Sequence, residues 1–287
     1  MRRSRLPVLL LPVLLVAGCG LLPGDVDGTP RERFTAAVED LRAAVEEEVR
    51  RAVEEAQRQA PQEGDRPRGE QRTDPRVDAI RTDTNTRFEY DEFVATLDQV
   101  LASLEEFWAE VLPAEFGVPY SAPSRYVYYR SDEGGGPSCG GQAAPARNAF
   151  YCPAGDFIAW DETGLMIPYY VSAGDFAAAF VLAHEFGHAM QARLPGDEPL
   201  GVLTELQADC FAGAWSRHVQ EQGLLEAGDL DEATFAVFSA RDVPGTPFTD
   251  PAAHGSGFER TRAFTDGYER GAGACVPAPG ESWLVDA

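Results

Sequence analysis

The chain has 287 residues and 44% hydrophobic content, enough for one or two domains with a substantial core. Its 47 acidic residues against 24 basic ones leave a net charge of −23, and every basic residue is arginine. The lack of lysine excludes Schiff-base and lysine-nucleophile chemistry. So acidic a chain has no basic patch to gather phosphates, which excludes nucleic acid as a partner.

At the start, Arg2, Arg3 and Arg5 precede the apolar run Leu6 to Ala17, the pattern of a secretion signal and too short for a membrane span. The run ends in Val16-Ala17-Gly18-Cys19, which resembles a bacterial lipobox. That resemblance implies removal of residues 1–18, lipid attachment at Cys19 and an extracytoplasmic chain anchored to the cell membrane; an ordinary signal peptide with an incidental cysteine is the alternative. From Arg31 to Ala60, Phe34, Val38, Leu41, Val45, Val49 and Val53 recur at helical spacing among many charges. This is a thin stripe on a charged stalk, suited to a spacer, to self-association through residues 31–60, or to a partly disordered tether. Pro61 to Thr86, rich in Pro, Gly, Asp and Arg, reads as a flexible linker, so residues 19–87 separate the anchor from the folded part.

Residues 88–275 read as the domain and 276–287 as a tail. Phe88 to Leu112 carries a broad apolar face, including Phe93, Leu97, Leu101, Leu104 and Trp108, and reads as a packed helix ended by Pro113. Arg125 to Arg130 alternates around Tyr126, Val127, Tyr128 and Tyr129 and predicts a strand. Ala149 to Cys152 and Phe157 to Trp160, joined by Pro153-Ala154-Gly155-Asp156, predict a hairpin, with Asp156 to Asp161 as an open edge able to hold an extended peptide. Ser172-Ala173-Gly174-Asp175 can cap the helix that follows.

That helix holds His184-Glu185-Phe186-Gly187-His188. Residues four apart share a helix face, so His184 and His188 can offer two imidazole nitrogens to one ion, and the pattern points to Zn2+. Glu185 lies one step off that line, placed to take a proton from metal-bound water. Tetrahedral zinc then needs a third protein ligand with the fourth position open. Leu194 to Pro199 breaks the helix, and Glu205-Leu206-Gln207-Ala208-Asp209 begins 17 residues after His188 on a second, antiparallel helix. Glu205 is the candidate third ligand, and Asp209, four residues on, is suited to accept the spare N–H of a ligating histidine. His218 falls on that helix's polar side as a surface histidine. Asp229 to Ala240 predicts another amphipathic helix, and Ser256-Gly257-Phe258-Glu259 looks like a capping box opening the last one.

Without Cys19, four cysteines remain, an even number that suggests two disulfides in an exported chain, with three possible pairings. The preferred one joins Cys139 to Cys152 and Cys210 to Cys275. The absence of any C-x-x-C spacing argues against a cysteine-rich zinc site.

The His184–His188 and Glu205–Gly213 segments, with Phe150-Tyr151-Cys152-Pro153 upstream and His254-Gly255-Ser256 and Arg260 downstream, resemble the putative neutral zinc metallopeptidase family of bacteria over roughly residues 88 to 275. The resemblance implies an α+β, zincin-like fold, mainly helical with a small β-sheet beside the H-E-x-x-H helix, and a hydrolase with two His and one Glu on zinc. It also sets His254 near the metal, where it could donate a hydrogen bond to the oxyanion of the tetrahedral intermediate. Ala189 stands where the resemblance leads to a third histidine. The function expected is a zinc metallopeptidase in which Glu185 is the proton-transfer residue acting on a peptide or protein substrate. The alternatives are a zinc-binding lipoprotein without turnover and a zinc hydrolase of cell-wall amides.

Overall fold

The computed structural model describes residues 30–66, 88–195, 201–250 and 252–276. The expected signal segment, Cys19 and the tail beyond Val276 lie outside the described residues. In order the chain forms α1 (Pro30–Gln59), β1 (Glu63–Arg66), α2 (Tyr90–Phe116), β2 (Arg125–Tyr129), β3 (Ser138–Cys139), β4 (Gln142–Ala143), β5 (Ala149–Cys152), β6 (Phe157–Asp161), α3 (Ile167–Ala173), α4 (Asp175–Gln191), α5 (Val202–Glu221), α6 (Asp229–Ser239) and α7 (Gly257–Arg270). This is an α+β, zincin-like fold, mainly helical with a small mixed sheet. Residues 1–42 and 43–287 form two units, and the described part of the first is the opening of α1, where Val38 and Leu41 are exposed.

The four-stranded sheet runs β1-β2-β6-β5, with β2 and β6 parallel and the other two pairs antiparallel. The expectation that Asp156 to Asp161 is an open edge is therefore corrected. The β2 strand pairs along the far side of β6 and makes it interior, which agrees with five consecutive buried residues in Phe157–Asp161. The open edge beside α4 is β5.

Helix α4 is apolar nearly all round and is buried to match, against α2, α3, α5, α6 and the sheet. Its start is not capped from Ser172 to Asp175. Gly174 occupies the cap position and the Ser172 hydroxyl turns back to the Pro168 carbonyl, so the Phe176 N–H is taken instead by Glu232 Oε2 of α6 at 2.9 Å. A neighbouring helix thus supplies the acceptor that the local sequence lacks. Helix α2 also outruns its predicted stop. Pro113 sits within the last turn, and the helix closes at Gly117, left-handed with a φ of 67°, which gives its N–H to the Pro113 carbonyl while the Val118 N–H reaches back to Leu112. The capping box at Ser256 and Glu259 is present at the head of α7.

The stalk and linker readings need revision where residues are described. Ala52 and Ala56 of α1 are buried, and the Arg130 guanidinium donates to the Ala56 and Ala60 carbonyls at 2.7 and 2.9 Å, capping the helix C-terminus. In return Glu55 accepts the Tyr90 N–H at 2.9 Å at the head of α2. Residues 63–66, expected in the linker, pair antiparallel with β2, and Arg66 lies over the Tyr128 ring at 4.5 Å. The stretch Glu63-Gly64-Asp65-Arg66 has no strand pattern of its own; its partner imposes one. The rest of the expected linker, residues 67–87, is outside the described residues.

Both disulfides form as preferred, Cys139–Cys152 and Cys210–Cys275. The second closes 65 residues and ties α5 to the turn that follows α7, worth roughly 4 kcal/mol in the chain-entropy account.

Candidate metal centre

On α4 the one-turn spacing stacks His184 and His188 so that their Nε2 atoms lie 3.1 Å apart. Helix α5 crosses closely at Gly187, where a Cβ would come within 3.0 Å of the Ala208 backbone, and this approach brings Glu205 up to both rings. Its carboxylate oxygens are 3.2 Å from His184 Nε2 and 3.4 Å from His188 Nε2. Ligands at roughly 2.0–2.1 Å around a tetrahedral ion are separated from one another by about 3.3 Å, so the three donors stand at the corners zinc requires.

The opposite ring nitrogens are both engaged. Asp209 Oδ1 lies 2.9 Å from His184 Nδ1, and a carboxylate there can only accept. Gln191 Oε1 lies 2.8 Å from His188 Nδ1, with its amide group oriented by donation to the Thr204 carbonyl at 2.7 Å. Each Nδ1 therefore carries a hydrogen, and in the neutral rings each Nε2 presents a lone pair to the other and to Glu205. A cation between them resolves that convergence, and the residues fit zinc by both spacing and chemistry.

Without a cation between the rings, the same carboxylate partners favour the charged imidazoles. Burial opposes a charged His184, but hydrogen bonds to Asp209 and Glu205 outweigh it and raise its pKa to about 10. His188 is raised for the same reasons, with Glu205 as the main partner. Glu205 is opposed by burial, yet the two imidazoles hold it far below the usual carboxylate range. Asp209, also buried, is lowered chiefly by Arg260, which grips it through Nε to Oδ2 at 2.7 Å and Nη2 to Oδ1 at 2.8 Å.

Glu185 is not one of the three converging donors. It is buried, its Oε2 accepts the Tyr151 N–H of β5 at 3.0 Å, and burial raises its pKa. His184, Glu185, His188 and Glu205 all line one cavity of about 710 Å³, walled on the sheet side by Ala149 to Tyr151. His254 lines it too, half-exposed, its backbone N–H held by Asp242 at 2.9 Å, but it is not one of the three converging donors. His218 is remote from the group, half-buried on α5 beside Phe107.

Gln191 and Arg260 bond to members of the donor group, and sequence reasoning left both without roles. Gln191 follows His188 by three positions, a helical spacing that could have shown it. Arg260 is 51 residues from Asp209, and only the α5–α7 packing joins them.

A family model described as "Putative neutral zinc metallopeptidase" matches residues 62–277. The chain is also similar to the uncharacterized protein YpfJ of Escherichia coli (strain K12), 34% identical over 209 residues, covering 63% of this chain and 69% of the relative. It is 30% identical to the uncharacterized protein Rv2575 of Mycobacterium tuberculosis (strain ATCC 25618 / H37Rv) over 199 residues, 59% of this chain and 64% of that protein. No solved structure matches the chain.

Proposed function

The chain belongs to the putative neutral zinc metallopeptidase family, and from that premise we propose that it hydrolyses peptide bonds with zinc held by His184, His188 and Glu205. The observation that carries this reading is the meeting of three donors at tetrahedral spacing on a cavity wall that also holds Glu185. Zinc bound there supplies Lewis-acid chemistry, lowering the pKa of a water and polarising a carbonyl.

The protein's own groups do the rest. Glu185 takes a proton at its carboxylate and returns it to the leaving nitrogen. Burial raises its pKa, which strengthens its hold on the proton it carries, and the Tyr151 N–H fixes one carboxylate oxygen. Asp209 and Gln191 keep both imidazoles in the tautomer that leaves Nε2 free to bind metal. His254, anchored by Asp242 at the cavity wall, donates to the developing oxyanion. The β5 edge holds the substrate backbone.

The protein works outside the cytoplasm, tethered through lipid on Cys19. Two disulfides support an oxidising compartment, and among the described residues no helix is long and apolar enough to cross a membrane. Any self-association rests on the opening of α1, since the later part of that helix packs on the protein's own core.

Metal analysis paired with a diverse peptide library tests the reading. Wild type should bind one zinc and cleave, whereas Glu185→Gln should keep the zinc and lose about 10³-fold in turnover. Zinc-loaded wild type that cuts no peptide would overturn it in favour of a non-catalytic or cell-wall amide role.

A further inference from the structure

The charge inside the cleft runs against the charge of the chain. The whole carries −23, yet the carboxylates lining the cavity are Glu185 and Glu205, both belonging to the proposed catalytic group. The other formal charges on its walls are Arg147, Arg241 and Arg260, and of these Arg260 is committed to Asp209. Arg147 and Arg241 are exposed and form no ion pair among the described residues.

Arg147 is held by its backbone and Arg241 by its side chain. Arg147, just before β5, has a left-handed φ of 56°, a strained conformation for a residue with a side chain. It is sustained by the Arg147 N–H donating to Asp161 Oδ2 at 2.8 Å, a buried carboxylate that also accepts the Ser131 hydroxyl and the Gly164 N–H. Arg241, just after α6, lies over the Phe238 ring at 4.0 Å and gives one N–H to the Phe238 carbonyl at 2.8 Å, which leaves most of its donors available. Elements β5 and α6 both pack on α4, so the two arginines line the cleft from separate walls.

We propose that Arg147 and Arg241 are specificity-determining residues that select peptides bearing carboxylates, either Asp and Glu side chains or a free C-terminus, for cleavage in this site. The proposal rests on the peptidase reading above. Two cations without carboxylate partners among the described residues, lining the cleft of a chain of net charge −23, attract an acidic segment there while the net charge disfavours it elsewhere.

The test uses zinc-loaded full-length protein and matched internally quenched peptides. One set is C-terminally amidated with Asp or Glu, Asn or Gln, or Arg at varied positions, and the other is neutral with a free C-terminus. Carboxylate-bearing peptides should show higher kcat/KM by about fivefold per guanidinium engaged, and added salt should shrink the difference. The Arg147→Asn/Arg241→Gln double variant should lose that preference and keep its rate on neutral amidated peptides, because asparagine tolerates the left-handed backbone at 147. Arg241→Glu should turn the preference toward arginine-containing peptides. Equal rates for acidic and neutral peptides in wild type, or a preference surviving in the double variant, overturn the proposal. If no peptide is cut, the peptidase reading fails on its own, and fluorescence anisotropy with the same peptides decides this one. Tighter binding of carboxylate-bearing peptides that is lost in the double variant upholds it, and equal binding overturns it.

Discussion

Arg130 and Arg260 are both sealed from solvent, and each grips a buried carboxylate through two nitrogens, yet they serve different ends. Around Arg130 every other contact is scaffolding. Its partner Glu162 gives the remaining oxygen to Tyr90 and Arg66 at 3.0 and 2.9 Å, while Arg130 caps α1, so one ion pair fastens α1, β1 and α2 to the domain. Around Arg260 the partner Asp209 keeps one oxygen facing His184. The same chemistry becomes part of the candidate metal centre because a carboxylate lone pair faces an imidazole and not a backbone or a phenol.

Removing the arginines separates the two roles most sharply. Arg130→Met and Arg260→Met should each cost about 3–5 kcal/mol of stability in urea unfolding of the metal-free protein, since each strands a buried carboxylate. Only Arg260→Met should also weaken zinc, by roughly 10–100-fold in chelator competition. Equal zinc affinity in the two variants would erase the distinction. The disulfides give a smaller contrast of the same kind. Cys210→Ser/Cys275→Ser should cost roughly 4 kcal/mol and Cys139→Ser/Cys152→Ser, closing only 13 residues, about 3 kcal/mol, read by thermal unfolding. The smallest test isolates orientation from buried charge: Gln191→Ala should lower zinc affinity about tenfold with little change in unfolding, because it frees His188 Nδ1 without stranding an ion. A loss of stability as large as that of Arg260→Met would make Gln191 a packing residue.

These contrasts follow the line between what was legible in the residues and what was not. His184, Glu185 and His188 are set by one helix, and the capping box at Ser256 and Glu259 by one turn, so their geometry is written in local spacing. Glu205 and Asp209 are recognisable as a second helical pair, but their meeting with the histidines depends on the close crossing at Gly187. The reading of residues 63–66 as linker failed because a strand can be imposed by its neighbour, and the reading of Asp156 to Asp161 as an edge failed because edge or interior is a property of the sheet. The later part of α1 carries buried alanines that look no different in sequence from exposed ones.

The sequence by itself determined which side chains could bind metal and move a proton, because those depend on residue type and on contacts within a turn or two. The tertiary structure alone decided that Glu205 completes the donor group, that Arg260 fixes Asp209, that β5 is the sheet edge beside α4 and that Arg147 and Arg241 share a cleft. Each of those joins residues tens of positions apart, and only the packing of helices and strands against one core specifies such distances.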